Sequence, residues 1–206
     1  MTQKNEFVGR ENELKWFDDL HKKNISQMVV VYGRRRVGKS TLIKYFCSDK
    51  RHLFFTGVKD EKKEDLFERL VKYLAGFFNN PLIAKARIDN WQDVFEIIDL
   101  EIKNKKLVIV LDEFQWIAGR DFSVVSSIQE HWDNHWKNSG EIFFVLCGSI
   151  VSFMEKKVLS EKSPLYGRRT ASLLLEPMPV NEAKLFFPRK IVREQTEFLM
   201  TFGGIP

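Results

Sequence analysis

The sequence predicts an α/β fold, a three-layer αβα sandwich built around a parallel β-sheet. Three apolar runs carry this prediction: MVVVY at 28–32, LVIVL at 107–111 and IFFVL at 142–146. Each run is rich in β-branched or aromatic residues and is not interrupted by charged ones, which is typical of strands buried on both faces. Stretches with helical periodicity alternate with these runs, as βαβ crossovers require.

Two weaker runs, HLFFT at 52–56 and ASLLLE at 171–176, are predicted as the remaining strands. From Pro177 onward the pattern becomes helical, and the sequence ends on a glycine pair and a proline, which indicates a chain cut from a longer protein. Neither an internal repeat nor a low-complexity linker interrupts the alternation. The predicted helices cover residues 11–23, 39–47, 63–78, 92–104, 122–138 and 180–187.

Composition limits the class of protein. Of the 206 residues, 44% are hydrophobic and 30% charged, so the chain has enough apolar residues for a core and a charged surface. No apolar run approaches the roughly 20 residues that cross a bilayer, and the start lacks a secretory signal, so we expect a cytoplasmic protein without a membrane partner. Cys47 and Cys147 are expected to be unpaired thiols. A net charge of +5 permits an anionic ligand without establishing nucleic-acid binding.

The turn after the first strand carries the pattern G-x-x-x-x-G-K-[ST], written here as GRRRVGKS at 33–40. Glycine lets the backbone wrap closely, so that successive N–H groups point at phosphate oxygens, and the helix that follows adds the positive end of its dipole. We expect Lys39 to reach the terminal phosphates and Ser40 to hold Mg²⁺. The predicted nucleotide-binding residues of this segment are Gly33, Arg34, Arg35, Arg36, Val37, Gly38, Lys39, Ser40 and Thr41.

The three consecutive arginines of this turn need a separate explanation. Arg34, Arg35 and Arg36 occupy the variable positions of the motif, where backbone amides bind the phosphates. A run of like charges is usually solvated. The alternative is that one guanidinium contacts a phosphate or a partner, and the sequence leaves both interpretations open.

Two carboxylates, Asp112 and Glu113, come directly after the apolar run at 107–111. At that strand end a carboxylate lies beside the phosphate-binding turn, so Asp112 is predicted to orient Mg²⁺ through water. Glu113 is predicted to activate the water that attacks the γ-phosphate. The pair stands 73 positions after Lys39, which leaves room for an intervening strand and predicts the sheet order 5-1-4-3-2.

In that order the strand at 142–146 lies between the strand before the phosphate-binding turn and the strand before Asp112. Its end would direct Ser149 toward the γ-phosphate, the role called sensor 1. The alternative is that Ser149 caps the helix that follows it. A second open alternative concerns His131 and His135, whose i, i+4 spacing fits either two metal ligands or a packed helix face, and we favour packing.

Five ordered motifs resemble the archaeal-type (prokaryotic) ATPase family of AAA-like and STAND P-loop NTPases. FVGRENEL at 7–14 resembles the hhGRExE signature that precedes the phosphate loop in STAND-type ATPases. The others are the GRRRVGKST turn, LDEFQW, PLYGRRT at 164–170 and the closing GGIP at 203–206. The resemblance covers nearly the whole chain.

This resemblance implies further roles. Val8, Gly9 and Arg10 would lie against the adenine and ribose, and Pro206 would begin a helical lid that contacts the base from the other side. Arg168 would face the γ-phosphate of its own nucleotide or of a neighbouring subunit's nucleotide.

The domain division follows from the same resemblance. Residues 1–178 would form the P-loop ATPase core and residues 179–206 the beginning of the lid. Members of the family usually continue into a winged-helix or effector region, so we expect such a region beyond this chain.

Together these features predict a molecular switch that binds ATP with Mg²⁺, hydrolyses ATP slowly to ADP, and transmits its nucleotide state to a C-terminal region of the same protein. One alternative is a nucleotide-binding scaffold that does not hydrolyse. The other is a DNA-acting ATPase module of a mobile element or defence system. Homo-oligomerisation and nucleic-acid binding stay open at this point.

Overall fold

The structure, a computed structural model, describes residues 7–102, 105–187, 194, 195 and 197. Five parallel strands form one sheet in the order β2-β3-β4-β1-β5. The predicted order is therefore confirmed. The strands are β1 (Gln27–Tyr32), β2 (His52–Thr56), β3 (Leu107–Asp112), β4 (Ile142–Gly148) and β5 (Ala171–Leu174).

Burial along the strands explains which runs were easy to recognise. Every residue of β3 and β4 is buried, and so is β1 except for its last residue, because these strands lie in the middle of the sheet. The edge strands β2 and β5 alternate between more and less buried positions, which gives a weaker apolar signal.

Helices cover both faces of the sheet, which confirms the αβα sandwich. Adjacent residues of β4 show the two layers: Phe143 packs in one core cluster with Phe17 and Leu42, and Phe144 packs in the other with Leu70 and Trp91. No helix in the described ranges is long and apolar enough to cross a membrane. The helices are α1 (Glu11–His21), α2 (Lys39–Cys47), α3 (Lys63–Phe78), α4 (Trp91–Ile102), α5 (Phe114–Arg120), α6 (Ser123–His131), α7 (Val151–Phe153) and α8 (Val180–Ala183).

The helix predicted at 122–138 is wrong as one regular helix. After α6 the chain continues as a π-helical turn, Trp132–Trp136. Two side chains bond to Asp99 of α4, one from the end of α6 and one from this turn: His131 Nε2 lies 2.8 Å from Oδ2, and Trp136 Nε1 donates to Oδ1 at 2.6 Å. These contacts favour packing over metal ligation, and no group of three potential metal ligands occurs among the described residues.

The helix prediction differs from the structure elsewhere as well. The predicted helix at 180–187 is divided between α8 and a 3₁₀ turn at Lys184–Phe186. α5 is absent from the prediction, because seven residues are too few to show helical periodicity. The closing GGIP element, with Pro206, lies outside the described residues, so the predicted division between a core and a lid stays a prediction.

Both cysteines are buried and free, Cys47 in α2 and Cys147 in β4. Burial raises the pKa of the Cys47 thiol to about 12 and holds the pKa of Cys147 well above its usual range. Neither thiol is ionised at neutral pH. Cys47 is an apolar packing group, whereas Cys147 also interacts with Asp112 and Lys39.

Candidate functional site

The turn between β1 and α2 has a backbone that requires glycine at two positions. A Cβ atom on Gly33 would lie 2.2 Å from the carbonyl oxygen of Leu175, so no other residue fits there. Gly38 adopts a left-handed conformation with φ of 92° immediately before α2 begins at Lys39. The turn therefore places the N-terminus of α2 at the carboxyl end of β1, in the middle of the sheet.

Lys39 lies inside this turn. Its side-chain Nζ donates hydrogen bonds to the carbonyl oxygens of Gly33 at 2.9 Å and Arg34 at 2.8 Å. Burial lowers the pKa of Lys39, although the nearby carboxylates of Glu113 and Asp112 act in the opposite direction. A bound anion would favour the charged amine, because an opposite charge offsets the desolvation cost.

Asp112, at the end of β3, meets the first turn of α2. Ser40 Oγ donates to Asp112 Oδ2 at 2.8 Å, and the aspartate is 4% exposed. The other carboxylate oxygen, Oδ1, is buried without a hydrogen-bond partner in the described part of the chain. A hydroxyl and a carboxylate with an unused oxygen are the oxygen ligands that suit Mg²⁺.

Glu113 has a strained backbone and a well-anchored side chain. Its φ of 50° and ψ of 43° lie in the left-handed region, which non-glycine residues seldom adopt. Its Oε2 accepts a hydrogen bond from Ser149 Oγ at 2.7 Å and another from Gln115 Nε2. The structure thus joins the predicted base and the predicted sensor through a direct contact, and it adds Gln115, which sequence reasoning missed.

A cleft of about 720 Å³ surrounds the turn. Of the predicted residues that do not line the cleft, four bond to a residue that does: Gly33 and Arg34 to Lys39, Asp112 to Ser40, and Ser149 to Glu113. The lining residues are Phe7, Val8, Arg10, Arg35, Arg36, Val37, Gly38, Lys39, Ser40, Thr41, Glu113, Met178 and Phe186.

The apolar part of this lining was predicted only at Phe7 and Val8, in the FVGRENEL segment, and at Val37. Met178 and Phe186 come from segments far from these in the sequence, so no local pattern could have identified them. Gly9, which the resemblance places against the nucleotide, lies against Met178 and Glu182, and its contact with the nucleotide stays a prediction.

Arg10 connects three parts of the molecule. Its buried guanidinium pairs with Glu13 at 2.8 Å and donates to the carbonyl oxygens of Glu176 at 2.6 Å and Val37 at 3.4 Å. Its backbone N–H donates to Glu182 Oε2 in α8 at 2.9 Å. The side chain thus fixes the amino-terminal segment to the phosphate-binding turn, and the backbone fixes it to α8.

The arginine run is exposed, in agreement with the solvated interpretation, but its members differ in position. Arg35 and Arg36 line the cleft, whereas Arg34 does not. The Arg35 guanidinium lies 5.8 Å from the centre of the Trp116 ring, which is within cation–π range.

Arg168 is held away from the lining of the cleft by an ion pair. Its Nη2 lies 2.6 Å from Asp133 Oδ2, its Nε bonds to both oxygens of the same carboxylate, and its Nη1 donates to the carbonyl oxygen of Pro164. A role at the γ-phosphate therefore requires this pair to open or a second subunit to approach, and that role stays a prediction.

Comparison with known proteins matches this chain to a family. The model of an ATPase domain found predominantly in Archaea matches residues 7–201. An uncharacterised protein of Methanocaldococcus jannaschii is 34% identical over 200 residues, which cover 97% of this chain and 42% of that protein. An uncharacterised ATP-binding protein of the same organism is 42% identical over 45 residues, covering 22% of this chain and 76% of that protein. The chain thus spans less than half the length of the first relative.

Solved structures show the same fold. A Walker-type ATPase of Pyrococcus abyssi superimposes with a TM-score of 0.69 at 17% identity, over 100% of this chain and 66% of that chain. The ORC2 protein of Aeropyrum pernix, in ADPNP–ADP complexes, gives 0.61 at 14% identity over 94% of this chain and 54% of that one. A STAND protein of Pyrococcus horikoshii superimposes with a TM-score of 0.52 at 20% identity, over 97% of this chain and 28% of that chain. These matches confirm the predicted P-loop NTPase fold.

Proposed function

Because the chain belongs to the family of ATPase domains found predominantly in Archaea, we propose that it binds ATP with Mg²⁺ and hydrolyses it slowly as a molecular switch. One observation carries the proposal. The phosphate-binding turn after β1 meets two carboxylates at the end of β3, on the other side of β4: one has an unused oxygen and the other lines the cleft. The side chains concerned are Lys39, Ser40, Asp112 and Glu113.

Triphosphate binding would use the turn and Lys39. The ammonium group now bonds to carbonyl oxygens of Gly33 and Arg34, and phosphate oxygens would take the place of these carbonyls. Charge-assisted hydrogen bonds to phosphate are stronger than bonds to neutral carbonyls. The N-terminus of α2 contributes its backbone N–H groups to the same anion.

The oxygen ligands at the strand ends fit a magnesium ion. Ser40 Oγ would bind it directly, and Asp112 would hold it through water. When bound, Mg²⁺ neutralises negative charge on the phosphate oxygens. Ser40 would then give up its present hydrogen bond to Asp112 Oδ2.

Hydrolysis requires a base, and Glu113 is proposed for that role. It lines the cleft, and its anchored carboxylate can accept a proton from the water that attacks the γ-phosphate. The products are ADP and inorganic phosphate. The adenine would lie between the apolar walls that Phe7 and Val8 form on one side and Met178 and Phe186 on the other.

The nucleotide state would reach the rest of the full-length protein through Arg10. This residue bonds to Val37 of the phosphate-binding turn and to Glu182 of α8, the helix that leads toward the C-terminal end. A change in the turn would therefore move the attachment of α8. Two buried free thiols suit a reducing compartment, so we place the protein in the cytoplasm.

The experiment that tests this function measures ATP binding and ADP formation by the same protein sample. Binding with ADP formation supports the switch. Binding without ADP formation supports the scaffold alternative. DNA binding that weakens steeply with salt would support the DNA-acting alternative.

Asp112→Asn should raise the Mg²⁺ concentration needed for tight ATP binding by about tenfold, because an amide is a weaker ligand for a hard cation or its water shell. The measurement is ATP titration at a series of Mg²⁺ concentrations. Asp65→Asn is the matched control, since Asp65 is exposed on α3 and does not line the cleft. An unchanged magnesium requirement in Asp112→Asn would remove this residue from the metal site.

Arg168→Ala should lower the rate of ATP hydrolysis by about tenfold or more if the guanidinium contacts the γ-phosphate in the reacting state. Asp133→Ala is the control, because it breaks the same ion pair but keeps the arginine. Equal losses of hydrolysis rate in Arg168→Ala and Asp133→Ala would mean that the ion pair between the two residues supports the fold and that the guanidinium does not act on the γ-phosphate.

A mixing experiment decides whether Arg168 acts within one subunit or between two. The Arg168→Ala protein has an intact Glu113, and the Glu113→Gln protein has an intact Arg168. Recovery of hydrolysis on mixing them shows action between subunits. A mixture whose hydrolysis rate is only the average of the two separate proteins shows that Arg168 does not act in a neighbouring subunit.

A further inference from the structure

Both the nitrogen and the oxygen of the Gln115 side-chain amide form hydrogen bonds, and all of these bonds go to two residues of the candidate site. Nε2 donates to Glu113 Oε2 and, at 3.1 Å, to Ser149 Oγ. Oε1 accepts the backbone N–H of Ser149 at 3.1 Å. These partners also fix the orientation of the amide, because a carboxylate only accepts and a backbone N–H only donates.

Gln115 is closely packed against the end of β4. It is 3% exposed and does not line the cleft. A Cβ atom on Gly148 would lie 3.0 Å from Gln115 Oε1 and 2.4 Å from Met154 Sδ, so there is no free space on that side. A buried polar side chain with all its bonds satisfied is rigid, and it makes its partners rigid.

Of the two hydrogen-bond partners of Gln115, Glu113 is the one whose conformation depends more on these contacts. Its backbone is in the left-handed region, which costs conformational energy and needs surrounding contacts to persist. In the described part of the chain, the hydrogen bonds to its carboxylate end on Oε2. Oε1 is therefore the oxygen that a water molecule can use.

We propose that Gln115 is a positioning residue for ATP hydrolysis: it fixes the carboxylate of Glu113 and the hydroxyl of Ser149 relative to each other. This inference rests on the proposed function. Gln115 itself touches neither the nucleotide nor the attacking water. It acts by restricting Oε1 of Glu113 to one direction, and accurate placement of a catalytic group accounts for a large part of enzymatic rate enhancement.

Gln115→Leu removes the amide and keeps a side chain of similar size. We expect the rate of ADP formation under single-turnover conditions to fall by about 10- to 100-fold, because the base is present but misplaced. The Kd for ATP should change by less than about threefold, since Gln115 does not line the cleft. Gln129→Leu, a substitution of the same kind in α6, controls for the loss of an amide as such.

Two further variants separate positioning from folding. Gln115→Glu keeps the acceptor for the Ser149 N–H but replaces the donor to Glu113 with a second carboxylate oxygen, so it should lose at least as much rate as the leucine variant. In a Glu113→Gln background, Gln115→Leu should cause no further loss, because its effect passes through Glu113. A further loss of tenfold or more in that background would overturn the inference.

A readout that does not depend on turnover is the NMR signal of the Gln115 side-chain NH₂ group, assigned by its disappearance in Gln115→Leu. In the nucleotide-free protein it should exchange slowly with solvent and shift in both Glu113→Gln and Ser149→Ala. Rapid exchange without these shifts would overturn the inference, and so would equal ADP formation by wild type and Gln115→Leu, while the proposed function would stand. Absence of ADP formation by wild type would overturn the proposed function and, with it, the catalytic part of the inference.

Discussion

Lys39→Ala should reduce ATP affinity by about 100-fold or more, because several charge-assisted hydrogen bonds to phosphate are lost together. The structure makes this residue central, since its ammonium group lies inside the phosphate-binding turn, on the carbonyl oxygens of Gly33 and Arg34. Titration with a fluorescent ATP analogue measures the effect. Inorganic triphosphate should lose affinity to the same degree, because the missing contacts are to phosphate.

Lys44→Ala provides the matched control for this substitution. Lys44 belongs to the same helix, α2, but is exposed and lies over the Phe54 ring, away from the lining of the cleft. It should bind ATP as wild type does. Equal ATP affinity in wild type and Lys39→Ala would contradict the proposed phosphate contacts.

Glu113→Gln should lower the rate of ATP hydrolysis by about 100-fold or more, because the amide cannot accept the proton of the attacking water. ATP affinity should stay equal or rise, since one negative charge near the γ-phosphate disappears. The substitution keeps the size of the side chain, and its carbonyl oxygen can still accept the hydrogen bond from Ser149 Oγ. Calorimetric titration gives the affinity, and ADP formation gives the rate.

Glu130→Gln, on the exposed side of α6, is the control for this charge change. It alters the net charge by the same amount and should leave the rate unchanged. A parallel loss of rate in both variants would mean that overall charge, and not a base at position 113, controls the reaction.

The sequence was sufficient for the framework of the site because each component there depends on a local pattern. Buried central strands read as unbroken apolar runs, so β1, β3 and β4 were recognised and their order followed. Gly33 is required by the close approach of the Leu175 carbonyl. Such a constraint can be recognised in the sequence motif, and Asp112 is recognised in the same way by its place after the apolar run of β3.

Contacts between distant segments cannot be recognised from any local sequence pattern. The pairing of Arg168 with Asp133 joins a loop to the π-helical turn after α6, and no sequence period connects the two. Phe186 looks like any helical apolar residue until the fold brings it to the cleft. Gln115 is part of the LDEFQW motif, but its role depends on the short helix α5 and on Ser149 at the end of another strand.

The most direct test of the account is a single-turnover measurement with wild-type protein in excess over ATP and Mg²⁺ present. The account predicts ADP formation in one exponential phase, at least about 100-fold slower in Glu113→Gln and absent in Lys39→Ala at the same protein concentration. These conditions detect slow chemistry without requiring product release. ADP formation by wild type no faster than in buffer, or equally fast in Glu113→Gln, would contradict the account and favour a scaffold that binds nucleotide without hydrolysing it.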